Sequence, residues 1–373
     1  MKLKLKNTPE QVELIRAMGS KDVTAAAEAS QAFAAFIGPV VQKVLMHAGS
    51  ASVLYNDLEY DEDDNPSLPL DLWYDQGADY VQVWSQNIAG GLPTSEVSGL
   101  AEMKIATYRL DSAISWLKRY ARKARLDVIG KGIERMSNEV LVKQERNAWA
   151  VVLKALADAE TNSLKHVIGS GDANEFIPHD INRLMTHIKR INTDYNGGTP
   201  EGLTAKGLTD LFMSPEMMQQ VRAFAYHAVN AQQGSANIGT GPITLPDNVR
   251  EDIWNSGGMS SLYGIVLHEL LELGSTRKYN KLFGSLIGGN TIPNGGGADT
   301  FSTAGTTDEL IVGADLSRES LVRPVAREHE SGGTFSVLPD DQFVTRAEKM
   351  GFYGYLEEGR VCLDARALVG LAV

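Results

Sequence analysis

The stretch from residue 51 to about 110 constrains this chain most, because it reads as strands with nothing of their own to pack on. SVLYNDLEY, DYVQVWSQNI and MKIATYRLDSAISW alternate with period two and are rich in β-branched and aromatic residues, the pattern of half-buried strands. Between them, DEDDNPSLPLD and AGGLPTSE carry turn chemistry. A ribbon of this kind is marginal in water by itself. It has to lie on something else.

The next stretch of chain offers a support. Residues 117–159 keep helical spacing, with Ile129, Ile133, Met136, Val140, Trp149, Val152, Leu153 and Leu156 on one face. Glu134, Glu139, Lys143 and Arg146 take the other. Gly130 and Gly132 should break or bend this helix near its start, since each glycine costs up to about 1 kcal/mol there. Upstream, KLKLKN suits an extended arm, and 9–47 reads as two short helices separated by Gly38-Pro39. Downstream, 182–193 reads as helix, and so does 213–229, with Ser214 as cap, Pro215 at its first position and Glu216 favouring the dipole. The glycine-rich 284–306 reads as loop. ELIVGADL, SLVRPVAREHE, TFSVLPDD and QFVTRAEKMGFYGYLEE return to strand patterns, and the apolar ALVGLAV implies a strand inserted in a sheet.

Composition narrows the function. Of 373 residues, 43% are hydrophobic and 22% charged, as in ordinary folded proteins, and the length allows two or three domains. A net charge of −12 disfavours a broad electrostatic grip on nucleic acid or anionic membrane. Cys362 is the single cysteine, so neither an internal disulfide nor a multi-cysteine zinc site is possible. No apolar run reaches the roughly 20 residues of a membrane span or forms a signal peptide. An aqueous, reducing setting is expected.

The segment MSSLYGIVLHELLELG contains HELLE, near the HExxH spelling of zinc peptidases. A metal could be imagined on His268 and Glu272 with Glu269 as base. Against this, Glu272 stands where the second histidine belongs, Gly264 precedes the β-formers Ile265 and Val266, and no helix cap is present. The segment reads as a strand running into a loop. His47, His166, His179, His187, His227 and His329 are scattered singly and read as surface or hydrogen-bonded residues. Cys362 reads as a small buried hydrophobe. IGGN and NGGG match no phosphate-binding pattern.

Two charge blocks stand out. Asp57, Glu59, Asp61, Glu62, Asp63 and Asp64 form an acidic run, and Lys118, Arg119, Arg122, Lys123 and Arg125 a basic one. The acidic run lacks the glycine and terminal glutamate of an EF-hand loop. Either both are solvated faces, or the acidic ribbon docks on the basic start of the long helix, within one chain or on a neighbour.

Taken in order, these parts resemble the tailed-bacteriophage major capsid protein, an α+β chain of Hong Kong 97-like fold. The resemblance covers nearly the whole chain: an N-terminal arm (1–50), a β excursion like the family's E-loop (51–115), a P-domain of spine helix and long strand (116–165 with 340–362), and a mixed A-domain (166–339 with 363–373). DLFMSPEMMQQVRAF is similar to a Ser-Pro-capped helix of the family, and SSLYGIVLHELLELG to its LxGxPVV strand, with Ile265 where proline is common. ELIVGADLS resembles a strand ending at Gly313-Ala314-Asp315. QFVTRAEKMGFYGYLEEGRVCLDARALVGLAV resembles the closing module, with Val344, Arg346 and Glu348 on the P-domain strand.

The resemblance implies a structural, non-enzymatic protein without cofactor or metal. Copies would form hexamers and pentamers that close into an icosahedral head around double-stranded DNA, held without sequence-specific binding. Its arm and ribbon would be buried by neighbouring copies, so that folding and assembly share contacts. A separate scaffolding protein, a portal and a decoration protein are the implied partners, since the short N-terminus leaves little room for a large cleaved domain. The implied location is the virion, after assembly in the host cytoplasm. An encapsulin-like compartment shell would share the fold. A hydrolase using HELLE, or another phage part such as a tail sheath or portal, is the remaining alternative.

Overall fold

The computed structural model describes residues 8–47, 49–61, 64–69, 102–123, 126–161, 163–171, 175–191, 207–224, 247, 250–251, 254, 261–289, 291–294, 297–302, 308–327, 334–340 and 349–373. The helices are α1 (Pro9–Met18), α2 (Val23–His47), α3 (Ala51–Leu54), α4 (Lys118–Arg122), α5 (Leu126–Asp158), α6 (Pro178–Ile191), α7 (Pro215–Ala223) and α8 (Lys278–Ile287). Strands of the first half are β1 (Asn56–Asp61), β2 (Ser67–Pro69), β3 (Glu102–Lys104), β4 (Thr107–Leu117), β5 (Glu160–Thr161), β6 (Leu164–Lys165), β7 (Val167–Gly169) and β8 (Asp210–Met213). Those of the second half are β9 (Ser261–Leu262), β10 (Ile265–Glu269), β11 (Thr291–Asn294), β12 (Gly297–Thr300), β13 (Leu310–Ala314), β14 (Leu321–Arg327), β15 (Ser336–Asp340), β16 (Lys349–Gly359), β17 (Val361–Cys362) and β18 (Leu368–Ala372). Helices and strands interleave along the chain, and the sheets mix antiparallel and parallel pairings, an α+β arrangement as expected.

Two compact units emerge. The first gathers Met1–Leu70, Leu100–Ala148 and Leu321–Val361. Its spine is the antiparallel pair β4–β16, in register from Thr107 opposite Gly359 to Leu117 opposite Lys349. β15 and β14 flank other parts of β16, and β1 adds parallel to β14. Along β4, Leu110, Ile114 and Trp116 turn inward while Arg109, Asp111, Ala113 and Ser115 face out, as period two requires. Phe352 packs between Trp116 and Phe33, with ring centroids 5.4 and 5.5 Å away. Ile133, Met136 and Val140 of α5 and Ile15, Met18, Ile37 and Val41 of the arm complete this core. At Gly354 an added Cβ would lie 2.6 Å from the Phe335 ring, so glycine is what lets that ring close over the sheet.

The second unit gathers Asp71–Gly99, Trp149–Ser320 and Cys362–Val373. Its sheet runs in the order β7–β18–β13–β8–β10–β9. The amphipathic α6 seats Ile181, Leu184 and Ile188 against it, and α7 adds Met217, Met218 and Val221. Trp149 lies edge-on to Phe212 at 5.3 Å and stacked on Tyr279 at 5.7 Å. The C-terminal apolar strand is β18, which pairs with β7 on one side and β13 on the other, as its composition implies.

Several expectations are corrected. Gly38-Pro39 does not divide 9–47 where expected: the break lies at Gly19–Asp22, and α2 runs through Pro39. Pro39 and Ala35, four residues before it, are both exposed, so the carbonyl freed by the missing N–H faces water while Ile37 and Val41 stay anchored. Likewise α5 passes Gly130 and Gly132 unbroken, because Ile129 and Ile133 on either side are buried in the core. Residues 51–54 form a turn of helix. The glycine-rich stretch is not all loop: its start ends α8, and β11 and β12 within it pair antiparallel, with Thr291 opposite Thr300. The inner face of the arm is covered within its own unit, while Val23, Phe36 and Val40 of α2 stay exposed. KLKLKN, DYVQVWSQNI and the trio Val344, Arg346 and Glu348 lie outside the described residues.

Candidate functional site

The acidic run starts on β1, whose parallel register sets Asp57 beside Arg323 and Glu59 beside Val325 of β14. Arg323 donates to Asp57 through Nε at 2.6 Å and through Nη2, a two-pronged ion pair with the guanidinium largely buried. Beneath it lies Glu358, wholly buried on β16. Its carboxylate accepts from Gln144 Nε2 at 3.1 Å, from the Tyr108 hydroxyl at 2.9 Å and from Arg360 Nη2 at 3.3 Å. Arg323 Nη1 approaches the same carboxylate at 4.0 Å, and Arg360 rests on the Tyr55 ring at 4.8 Å. Two carboxylates and two guanidiniums thus balance, as buried charge must. Burial, and then the charge of Glu358, push the Tyr108 phenol up to about 12.

Farther along β1 the setting changes. Glu59 meets Arg327 at 3.6 Å with both side chains about half exposed, a pair worth at most about 1 kcal/mol. Asp61 and Asp64 are exposed and form no ion pair among the described residues. The run therefore divides into an anchor at the partly exposed Asp57, tied to the buried Arg323, and an exposed stretch at Asp61 and Asp64.

The basic run sits on α4. Arg122 Nε donates to the Gly19 carbonyl at 3.0 Å, clamping the α1–α2 turn. Arg119 lies over its neighbour Tyr120 at 5.2 Å, and Lys123 is exposed. Within one chain none of the described acids of the run meets Lys118, Arg119, Arg122 or Lys123; Asp57 and Glu59 pair with Arg323 and Arg327 instead. Glu62, Asp63 and Arg125 lie outside the described residues. Sequence reasoning missed Arg323, Arg327, Glu358 and Arg360. The available signal was charge inside strands, in LVRPVAR and LEEGR, where an unpaired charge is costly.

HELLE lies where the strand reading puts it, on β10 and the turn of 3-10 helix after it. His268 is held by Asp210 Oδ1 at 2.7 Å and stacks on Phe212 at 4.7 Å. Glu272 accepts from the Lys278 amide at the start of α8, at 3.4 Å. No group of three or more possible metal ligands occurs among the described residues. Ser214 caps α7 as read from the sequence, accepting from the Met217 amide at 3.1 Å. It also donates to Glu309, whose carboxyl burial raises. Burial and Asp364 push the Cys362 thiol up to about 12. No described helix is long and apolar enough to cross a membrane.

No family model matches the chain, and no curated protein matches it in sequence. Solved structures do. The capsid of cyanophage P-SCSP1u is similar at 13% identity over 86% of each chain, with a TM-score of 0.49. The capsid of a native GTA particle is similar at 11% identity over 87% of this chain and 90% of its own, also at 0.49. The SrpI encapsulin of Synechococcus elongatus is similar at 10% identity over 73% and 76%, at 0.39.

Proposed function

We propose that this chain is the shell subunit of an icosahedral head of the tailed-phage type, assembling as hexamers and pentamers around double-stranded DNA. The observation that carries this reading is the order of parts. A two-helix arm precedes strands β1 and β4, which lead into and out of the excursion; the 33-residue α5 and a mixed-sheet unit come next, and β16 then returns along all of β4. That is the order of arm, E-loop, P-domain and A-domain that the Hong Kong 97-like resemblance implies.

In this reading the role is structural, not catalytic. The later part of the acidic run (Asp61, Glu62, Asp63, Asp64) meets Lys118, Arg119, Lys123 and Arg125 of a neighbouring copy, while Asp57 and Arg122 serve inside the chain. The charge of −12 suits a container whose DNA must slide. A scaffolding protein, a portal and a decoration protein are the further partners, with assembly in the host cytoplasm and residence in the virion.

Electron microscopy of the purified chain tests the reading: closed shells or flat sheets of hexamers are expected. A compact monomer that stays dispersed at high concentration would overturn it. Packaged enzyme in place of DNA would transfer it to a cellular compartment shell.

A further inference from the structure

The long helix α5 has two unlike faces. Ile129, Ile133, Met136 and Val140 are buried in the core of the first unit. On the opposite face Lys131, Arg135, Asn138, Lys143 and Arg146 are all exposed, spread over roughly 22 Å at 1.5 Å per residue. Glu139 is the one exposed acid among them. At the border of this face Glu134 is half-buried, and Glu145 is taken: it accepts from the Ser50 hydroxyl at 2.7 Å and from the Ala51 amide at 3.0 Å.

Lys131, Arg135, Lys143 and Arg146 form no ion pair among the described residues. Other bases of the same unit behave differently: Arg109, Arg323, Arg327 and Arg360 each hold a carboxylate. In a chain of net charge −12 acids are plentiful, so four open bases on one face do not reflect a shortage of partners. The arrangement also weakens the helix, because Lys131 and Arg135 are like charges four residues apart and Lys143 and Arg146 three apart. Glu139, four residues from both Arg135 and Lys143, offsets only part of this. Nor does the overall charge decide what such a face meets, since charges beyond the roughly 8 Å screening length at physiological salt are largely hidden.

We propose that this face of α5 contacts phosphates, and that its partner is double-stranded DNA lying against the inner wall of the shell. The identity of the polyanion rests on the shell reading; the phosphate-binding face does not. A protein partner fits less well. Interface centres are built on apolar or aromatic anchors, and Val142 is the one large apolar side chain exposed on α5 among the described residues. Duplex DNA needs no such anchor, only cations within reach of its phosphates. Four contacts make a salt-sensitive grip: at about 0.9 per phosphate in the logarithmic salt slope, affinity falls roughly 150-fold between about 50 and 200 mM salt. Such contacts position the duplex without pinning it, so it can still slide.

The test is fluorescence anisotropy of a short labelled duplex with the full chain, kept dilute and unassembled, between about 50 and 200 mM salt. Combining Lys131→Gln, Arg135→Gln, Lys143→Gln and Arg146→Gln should flatten the salt slope by about 3.6, with circular dichroism unchanged because glutamine is a good helix former. A control of equal charge, combining Lys21→Gln, Lys154→Gln, Lys165→Gln and Arg327→Gln, should keep the wild-type slope. No binding by the wild type at the lowest salt, or a control that flattens the slope as much as the α5 variant, would overturn the proposal. Binding to poly-glutamate but not to the duplex would overturn it too, and give the face to an acidic protein. Electron microscopy of concentrated chain reads the shell separately. Duplex binding without shells removes the shell reading and keeps this face, whereas shells without duplex binding do the reverse.

Discussion

Arg323 and Asp57, 266 positions apart in sequence, meet through two guanidinium nitrogens, with Nε 2.6 Å from Oδ1. The contact fastens β1 to β14 at the root of the excursion and shields the Glu358 carboxylate below it. It also turns part of an acidic surface run into an internal anchor.

Replacing one partner should expose that dependence. Asp57→Asn should cost about 2 kcal/mol, less than the roughly 3–5 kcal/mol typical of a fully buried pair because Asp57 is partly exposed. Arg323→Lys should cost a similar amount, since lysine cannot supply the fork. Glu59→Gln, at the half-exposed pair, should cost well under about 1 kcal/mol. Urea unfolding of the unassembled chain measures all three.

Tyr108 supplies a pH signature. Its phenol is raised from 10.0 to about 12 in the folded chain, so the neutral form is preferred there. The stability this contributes is therefore present below about pH 10 and is lost as pH rises toward about 12. Ultraviolet titration of the phenolates should show a tyrosine missing from the transition near pH 10, and Tyr108→Phe should remove the late step.

The Cys362 thiol should be inert at neutral pH, because burial and Asp364 hold it protonated up to about 12. Ellman's reagent at about pH 8 should label the native chain far more slowly than the chain in guanidinium. Equal rates would mean that the segment around Cys362 opens readily.

Lys118, Arg119 and Lys123 test the proposed neighbour contact. Reversing all three to Glu should leave the circular dichroism unchanged while shells fail to form. Normal shells from that variant would rule out α4 as the ribbon's dock and leave the shell reading itself standing.

Trp149 is wholly buried against Phe212 and Tyr279, so Trp149→Ala should cost about 3–5 kcal/mol. Thermal unfolding gives the value.

Legibility in the sequence tracks the range of the forces involved. The faces of α5 and β18 were visible because periodic burial is written locally, and the Ser214 cap was visible because its partner is three residues away. HELLE was legible as strand from Ile265 and Val266 despite its zinc-like spelling. Pro39 misled because its cost depends on whether Ala35 faces water, which only the packed helix decides. Gly130 and Gly132 misled because burial of Ile129 and Ile133 outweighs their helix cost, and that burial too is decided by packing. The Asp57–Arg323 pair was illegible because parallel pairing of β1 with β14 leaves no mark in either strand.

The placement of β18 bears on how the chain is made. Its neighbour β7 ends at Gly169, yet β18 begins only at Leu368, so nearly the whole second half of the chain must be synthesised before the two can pair. Throughout that interval Ile181, Leu184 and Ile188 lack part of their cover. Sequence separation of this kind slows folding and lengthens exposure to aggregation. Slow expression at low temperature, or a co-expressed chaperone, should therefore raise the soluble yield.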